Sequence, residues 1–272
     1  MGKKKIDYGL KFYRDIFKLN SLHFGLWDNI KELTVDNLRL AQEKYIERLL
    51  GFIPADVKSV LDVGCGTGSV SAKLSEKKFN VEALTPDEYQ ATLFRQNCPD
   101  ITFYPTKFED LETDRKYDLI LSAESWQYLN LDDAFAKCQS LLRPGGYLLI
   151  ADYFRKTQDT YYRTCHVEKT FLETISKYPF ESVRSEDITE MVLPTLKFGT
   201  GIYSSYVLPV MEIISGYLKT QFRFAAGLLS FLFSGQLKRI NKYIYVHTKE
   251  KLDAEKFKER MVYKIFLYKK RV

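Results

Sequence analysis

The chain has little with which to build a metal centre or a disulfide framework. It holds three histidines, His23, His166 and His247, and no two are spaced as ligands on one helix face. The four cysteines, Cys65, Cys98, Cys138 and Cys165, are far apart and lack the close CxxC pairing of zinc or redox sites. No metal is therefore expected, and the cysteines read as reduced thiols of a cytoplasmic protein. Also missing is an apolar run of the ~20 residues that a membrane span needs. The weakly charged stretch Ala225 to Gly235 is too short. The first residues contain no apolar signal core, so no secretory leader is expected. Internal repeats and low-complexity segments are absent, which excludes repeat arrays. Basic residues form no concentrated stripe. Their only dense runs, Lys3 to Lys5 and Lys269 to Arg271, lie at the two ends, and no RNA-binding module is recognisable, so no nucleic-acid partner is expected. The net charge of +6 permits anionic partners and selects none.

What is present points to a globular enzyme-sized unit. Apolar residues make up 45% of the 272, enough for a sizeable core, and the 19 Tyr and 19 Phe suit either an aromatic-lined cavity or core packing. We divide the chain into an N-terminal lid segment, 1–50, a core, 51–189, a mainly helical insertion, 190–260, and a final core strand with tail, 261–272. From Thr34 to Leu50 the apolar positions Val35, Leu38, Ala41, Tyr45 and Leu49 recur every three or four residues, which predicts a helix with Thr34 as N-cap.

From Lys58 short β-rich runs alternate with helical stretches, the pattern of a parallel sheet built from βα units. The predicted strands are Ser59 to Val63, Asn80 to Leu84, Ile101 to Pro105, Tyr117 to Ser122 and Gly146 to Asp152. Their near-continuous apolar runs call for cover on both faces. A helix is predicted over Val167 to Tyr178, a strand over Phe180 to Arg184 and a last strand over Met261 to Tyr268.

The most informative stretch is Val60-Leu61-Asp62-Val63-Gly64-Cys65-Gly66-Thr67-Gly68, a buried strand entering a glycine-spaced turn and then a helix. Alternate glycines let the backbone turn sharply and approach a ligand at the carboxyl end of the first strand. The helix that begins near Ser69 presents unpaired N–H groups and a positive dipole end. Asp62 either accepts hydrogen bonds from an ammonium group or orders the loop.

This stretch, an acidic residue followed by GxGxG, resembles the first motif of class I S-adenosylmethionine-dependent methyltransferases. The resemblance continues in Tyr117-Asp118-Leu119-Ile120-Leu121-Ser122, which looks like the fourth strand of that family, and in Leu142 to Ile150, which looks like the turn and fifth strand. It implies an α/β fold, a doubly wound, seven-stranded, mostly parallel sheet of order 3-2-1-4-5-7-6 with strand 7 antiparallel. An N-terminal helical lid and a helical cap between strands 6 and 7 complete the expectation. It implies S-adenosylmethionine as cofactor and S-adenosylhomocysteine as its product.

By the same resemblance Gly64, Cys65, Gly66 and Gly68 surround the methionine end, and Asp62 supports its amino group. At the second strand's tip, where a carboxylate commonly holds the ribose, the chain has Ala83 followed by Leu84 and Thr85, so Thr85 or Glu88 becomes the ribose candidate. Lys107 stands where an aspartate is common, and Phe108 and Glu109 are expected to edge the adenine, unless Glu109 only starts a solvated helix. Ser122 and Ala123 leave the fourth strand towards the cofactor. Tyr8 and Trp27 belong to an aromatic segment that closes over the cofactor in small-molecule members; the alternative is that they anchor the segment to the core.

On the substrate side, Gln127 and Tyr128 stand where relatives often have Glu-His. Tyr128, with an ordinary pKa near 10, suits orientation better than proton removal. Glu124 is either a base or a helix cap. The insertion resembles that of members acting on small or lipid-like molecules. Its apolar stretch Ile202 to Phe233 reads as a cap over an apolar pocket, or as a surface lying on a membrane with Lys219, Arg223, Lys238 and Arg239 near headgroups. The expected activity is methylation of a small, largely apolar acceptor. An RNA or protein methyltransferase and a non-catalytic cofactor-binding protein remain as alternatives; the oligomeric state is open.

Overall fold

The computed structural model describes residues 8–158, 161–221 and 249–272. Lys3 to Lys5, Arg223, Ala225 to Gly235, Lys238, Arg239 and His247 lie outside the described residues.

A seven-stranded sheet of order β3-β2-β1-β4-β5-β7-β6 forms the centre, as expected. Its strands are β1 (Ser59–Val63), β2 (Asn80–Leu84), β3 (Thr102–Tyr104), β4 (Tyr117–Ala123), β5 (Leu142–Arg155), β6 (Phe180–Asp187) and β7 (Met261–Lys270). The first five pair in parallel, and β7 runs antiparallel to both β5 and β6. Between them lie α3 (Ser69–Glu76), α4 (Glu88–Asn97), α5 (Leu131–Leu141) and α6 (Glu168–Ile175), after α1 (Tyr8–Asp15) and α2 (Val35–Leu50).

Alternating side chains explain why these strands read as continuous apolar runs. Val60, Leu119, Leu121, Leu149 and Ile265 face one way and pack with Tyr45 and Leu49 of α2 and Val70 and Leu74 of α3. Leu61, Ile120, Leu148, Ile150 and Phe266 face the other way, against Phe135 and Cys138 of α5 and Phe171 of α6. A side chain of that size fully buried contributes about 1.5–3 kcal/mol. β6 is the exception, exposed along most of its length and carrying Glu181, Arg184 and Glu186, as an edge strand must to resist further pairing.

Several boundaries differ from the sequence expectation. β5 begins at Leu142 because Leu142 already pairs with Tyr117, and the turn at Gly145, with φ of +74°, sits at a register shift inside the ladder. β6 continues to Asp187, since Ser185, Glu186 and Asp187 pair with Phe266, Ile265 and Lys264. β3 is limited to Thr102–Tyr104, and α6 ends at Ile175, where Ser176 closes its last turn. The Thr34 N-cap is present, its hydroxyl accepting from Asn37 N–H at 3.2 Å.

Between β6 and β7 the described chain is helical: α7 (Thr189–Ile202), a π-helical turn (Tyr203–Val207), α8 (Leu208–Gln221) and α9 (Ala254–Arg260). Phe198 of α7 packs with Leu19, Trp27, Leu38 and Ala41. Leu193 and Leu196 pack with Ala254, Phe257 and Met261. α7 thus packs on the N-terminal segment, and α7 and α9 pack at the start of β7.

Candidate functional site

At the carboxyl ends of β1, β2 and β4 a cavity of about 750 Å³ opens. Its floor is the loop after β1, where Gly64, Gly66 and Gly68 have φ of +74°, +57° and +95°, a region that side chains rarely adopt. Gly64 and Cys65 donate their N–H groups to the Leu84 carbonyl at 2.9 and 3.1 Å, which ties the loop to β2. A Cβ on Gly64 would overlap the Ser125 side chain, and one on Gly68 would come within 2.7 Å of Cys98 Sγ. A Cβ on Gly66 would meet nothing within 4 Å. The loop is therefore packed from behind and bare on its cavity side.

Asp62 is the penultimate residue of β1, just before this loop. Its Oδ2 accepts from Ser71 at 2.5 Å, and burial raises its pKa to about 6 although that hydrogen bond pulls the other way. Ser125 stitches the loop to β4, donating to the Val63 carbonyl at 2.6 Å and lying 2.7 Å from Ser122 Oγ.

Farther along the wall are Leu84, Thr85 and Pro86, then Asp87 and Gln90. Asp87 is the N-cap of α4, accepting from Gln90 N–H at 2.8 Å, and Thr85 Oγ1 lies 3.3 Å from Gln90 Oε1. Phe108 and Glu109 complete that end. At the other end stand Ala123, Glu124 and Tyr128, with Gln127 and Tyr153.

Glu124 has a left-handed backbone, φ +56°, uncommon for a residue with a side chain. Its Oε1 accepts from Phe24 N–H at 2.7 Å and from Tyr263 OH at 2.8 Å, and Tyr263 OH lies 2.7 Å from Tyr45 OH. Oε2 receives no hydrogen bond among the described residues. Burial pushes the Glu124 pKa up to about 8 against the pull of both donors, and the neighbouring Asp152 adds to the rise. Asp152, raised by burial to about 7, accepts from the Gln127 and Tyr153 N–H groups. Tyr128 is 71% exposed and stands at the rim.

The structure thus brings Asp62, Gly64, Cys65, Gly66, Leu84, Thr85, Phe108, Glu109, Ala123, Glu124 and Tyr128 to one cavity. Four expected residues are not on its wall. Trp27 is buried with Leu19, Leu38 and Phe198, and its Nε1 donates to Thr195 Oγ1 at 2.8 Å, so its ring anchors the N-terminal segment instead of covering a ligand. Glu88 lies in the first turn of α4 off the wall, and Asp87 and Gln90 line it instead. Gly68 packs behind the loop, and Ser122 Oγ lies 2.7 Å from Ser125 Oγ, off the wall. Tyr8 opens α1, and its side chain lies outside the described residues. No described residue of the insertion lines the cavity, because α7 and α9 spend their apolar faces on the N-terminal segment and β7.

Sequence reading also passed over Asp87, Gln90 and Tyr153 as wall residues, and took His23 only as part of the aromatic segment resembling one that closes over the cofactor. Asp87 was legible as a helix N-cap just after Pro86. Tyr153 and His23 reach the wall through long-range packing that leaves no local signal.

The Methyltransferase domain family model matches residues 60–146. A ubiquinone biosynthesis O-methyltransferase of Rickettsia typhi is 26% identical over 148 residues, 51% of this chain and 59% of that protein. The first curated relatives are matched over 40% to 60% of their own lengths. A geranyl diphosphate C-methyltransferase from Streptomyces coelicolor A3(2) superposes with a TM-score of 0.67 at 14% identity, covering 100% of both chains. A cyclopropane synthase from Mycobacterium tuberculosis gives 0.67 at 16%, covering 97% of this chain and 94% of that one. These two likenesses carry the fold. Residues 60–146 thus match the methyltransferase-domain model, and the described fold is that of these neighbours.

Proposed function

We propose that the chain is an S-adenosylmethionine-dependent methyltransferase acting on a small, largely apolar acceptor, with S-adenosylhomocysteine as product. The observation that carries this reading is the bare cavity side of the loop at Gly66, where a Cβ would fill open space, while the flanking glycines are packed from behind. A ligand end can lie directly on that backbone. Gly64, Cys65 and Gly66 would hold the amino-acid end of the cofactor, Asp62 would order the loop or support the amino group, and Thr85 with Asp87 and Gln90 would face the ribose. Phe108 and Glu109 would edge the adenine. The volume of about 750 Å³ is in the range of small-ligand sites.

When bound, the cofactor supplies a methyl group already activated on a sulfonium, so what the protein adds is mainly placement of the acceptor. Tyr128 orients the acceptor from the rim. Glu124 takes up its proton: Oε1 is held by Phe24 and Tyr263, and Oε2 is left to the ligand. A cation in the cavity favours the carboxylate form and lowers the Glu124 pKa from about 8.

We read 1–50 as a lid segment, 51–189 as the cofactor-binding core, 190–260 as a cap and 261–272 as the closing strand. No described helix is long and apolar enough to cross a membrane. Ile213, Ile214 and Tyr217 of α8 are exposed and support peripheral membrane contact through this part of the insertion. Buried, unpaired Cys65, Cys98, Cys138 and Cys165 suit a cytoplasmic setting.

The proposal is tested by incubating the protein with methyl-labelled S-adenosylmethionine and an extract of its source cells. Label should pass into the solvent-extractable, small-molecule fraction. Label confined to precipitated RNA or protein would contradict the small acceptor.

A further inference from the structure

The two carboxylate oxygens of Glu124 face different surroundings. Oε1 accepts from Phe24 N–H at 2.7 Å and from Tyr263 OH at 2.8 Å. The Tyr263 hydrogen is thereby spent on the carboxylate, so the Tyr45 hydroxyl, 2.7 Å away, donates to Tyr263. Two hydrogens already point at Oε1, and a proton taken up by Glu124 therefore sits on Oε2. Oε2 has no hydrogen-bond partner among the described residues, yet it does not belong to their buried, unpartnered side-chain atoms. It keeps open surface, and the space that Glu124 borders is the cavity.

The groups around this carboxylate supply no positive charge. Those that face it and titrate are Tyr45 of α2, Asp152 and Tyr153 of β5, Tyr162 after β5 and Tyr263 of β7, none of them a cation. Lys107 is the only Lys or Arg among the described wall residues, and it stands beside Phe108 and Glu109 at the other end. A sulfonium entering the cavity would find its counter-charge in Glu124, and the pair leaves no charge over. An uncharged acceptor preserves that balance. A carboxylate or diphosphate would add negative charge with no described cation left to match it, which is costly away from bulk water. The kind of acceptor atom follows from the base. An amine attacks through its own lone pair and leaves Oε2 without a task, whereas a phenol, which ionises near 10, must give up a proton.

We propose that the methyl acceptor is uncharged and reacts through a hydroxyl of the phenol or enol class, whose O–H is bound by Glu124 Oε2, and that carboxylate and diphosphate acceptors are refused; this rests on the methyltransferase reading. The acceptor oxygen bonds the methyl carbon, its hydrogen passes to Glu124 Oε2, and the carbon–sulfur electron pair stays on sulfur. An ether, S-adenosylhomocysteine and the neutral acid remain. The step cancels the charge pair, and the acid is the form that burial favours.

The test uses the full chain and sinefungin, which carries an ammonium where S-adenosylmethionine carries its sulfonium, with 2-naphthol and 2-naphthoate as probes of similar shape. By calorimetry at pH 7 the sinefungin-loaded parent should bind the naphthol at least about tenfold more tightly than the naphthoate. In folded Glu124→Gln the ammonium has lost its counter-charge, so the naphthoate should gain and the gap should close. If that variant does not fold, the parent alone decides. Titrations in buffers of different ionisation enthalpy should show sinefungin releasing up to about one proton on binding, and S-adenosylhomocysteine releasing none. Naphthoate binding as tight as naphthol, a gap unchanged in folded Glu124→Gln, or no proton release with sinefungin overturns the proposal. A parent that binds neither sinefungin nor S-adenosylhomocysteine instead refutes the methyltransferase reading beneath it.

Discussion

Gly64 and Gly66 stand two residues apart with similar left-handed backbones and fail in different ways when substituted. Gly64→Ala combines strain at φ +74° with overlap of Ser125, whose hydroxyl holds β1 to β4. Backbone strain of this kind costs about 1–3 kcal/mol before the overlap is counted. Urea melts should show at least that loss, and a change below about 0.5 kcal/mol would contradict the geometry. Gly66 has open space around it, so its substitution should act on ligand binding more than on stability. Glu124 carries a further prediction at this scale. Its base form is the carboxylate, present above its pKa, so turnover should rise as pH increases through about 8 or, with the cationic cofactor bound, somewhat below it. Glu124→Gln should lower turnover at least tenfold and abolish the rise. A parent rate flat from pH 6 to 9 would remove Glu124 from proton transfer.

Elements place these residues, and α7 is the one whose role is least visible in the sequence. Thr195 on α7 accepts from Trp27 Nε1 at 2.8 Å and from Gly25 N–H at 3.0 Å, and Trp27 N–H donates to the Met191 carbonyl. The segment bearing His23 is thereby clamped between α2 and α7. Thr195→Val leaves two donors unpaired and should cost about 1–3 kcal/mol, with faster amide exchange over 21–27 as its signature. Unchanged exchange there would show that the clamp is not what holds the segment. β1, β2 and β4 were legible because both faces of each are buried over most of their length, so apolar residues such as Val60, Leu61, Val81, Ala83, Leu119 and Ile120 stand on both sides of the strand. The ends of β5 and β6 were not legible, because Arg143, Pro144 and Gly145 look like a turn and Glu186 and Asp187 look like loop, while cross-strand partners decide both. The glycine loop was readable for a similar reason: its backbone demands particular residues locally. Trp27, His23 and Tyr153 depend on contacts between distant segments, and aromatic residues suit a core or a cavity equally well.

At the scale of the molecule, the buried acids near the cavity set the pH dependence of stability. Asp62, Asp152 and Glu124 are raised to about 6, 7 and 8 from ordinary values of 3.8, 3.8 and 4.5. Between those limits the folded state holds more protons than the unfolded one, so their contribution is full below about pH 4 and is lost as pH rises through 6 to 8. His23, lowered from 6.5 to about 4, acts oppositely and loses its contribution as pH falls through that window. Three acids outweigh one histidine, so the net contribution of these groups falls as pH rises above about 4.5, and the ligand-free protein should melt at a lower temperature at pH 8.5 than at pH 6, with Glu124→Gln flattening the upper part of the curve. A melting temperature that climbs from pH 6 to 8.5 would contradict these assignments. The central claim, that the loop from Asp62 to Gly68 forms the floor of a site for S-adenosylmethionine, is tested most directly by calorimetric titration of the parent and of Gly66→Val with S-adenosylhomocysteine, after thermal melts show both folded. The parent should bind one molecule per chain and the variant should bind at least a hundredfold more weakly; no binding by the parent, or equal binding by the folded variant, would contradict the account.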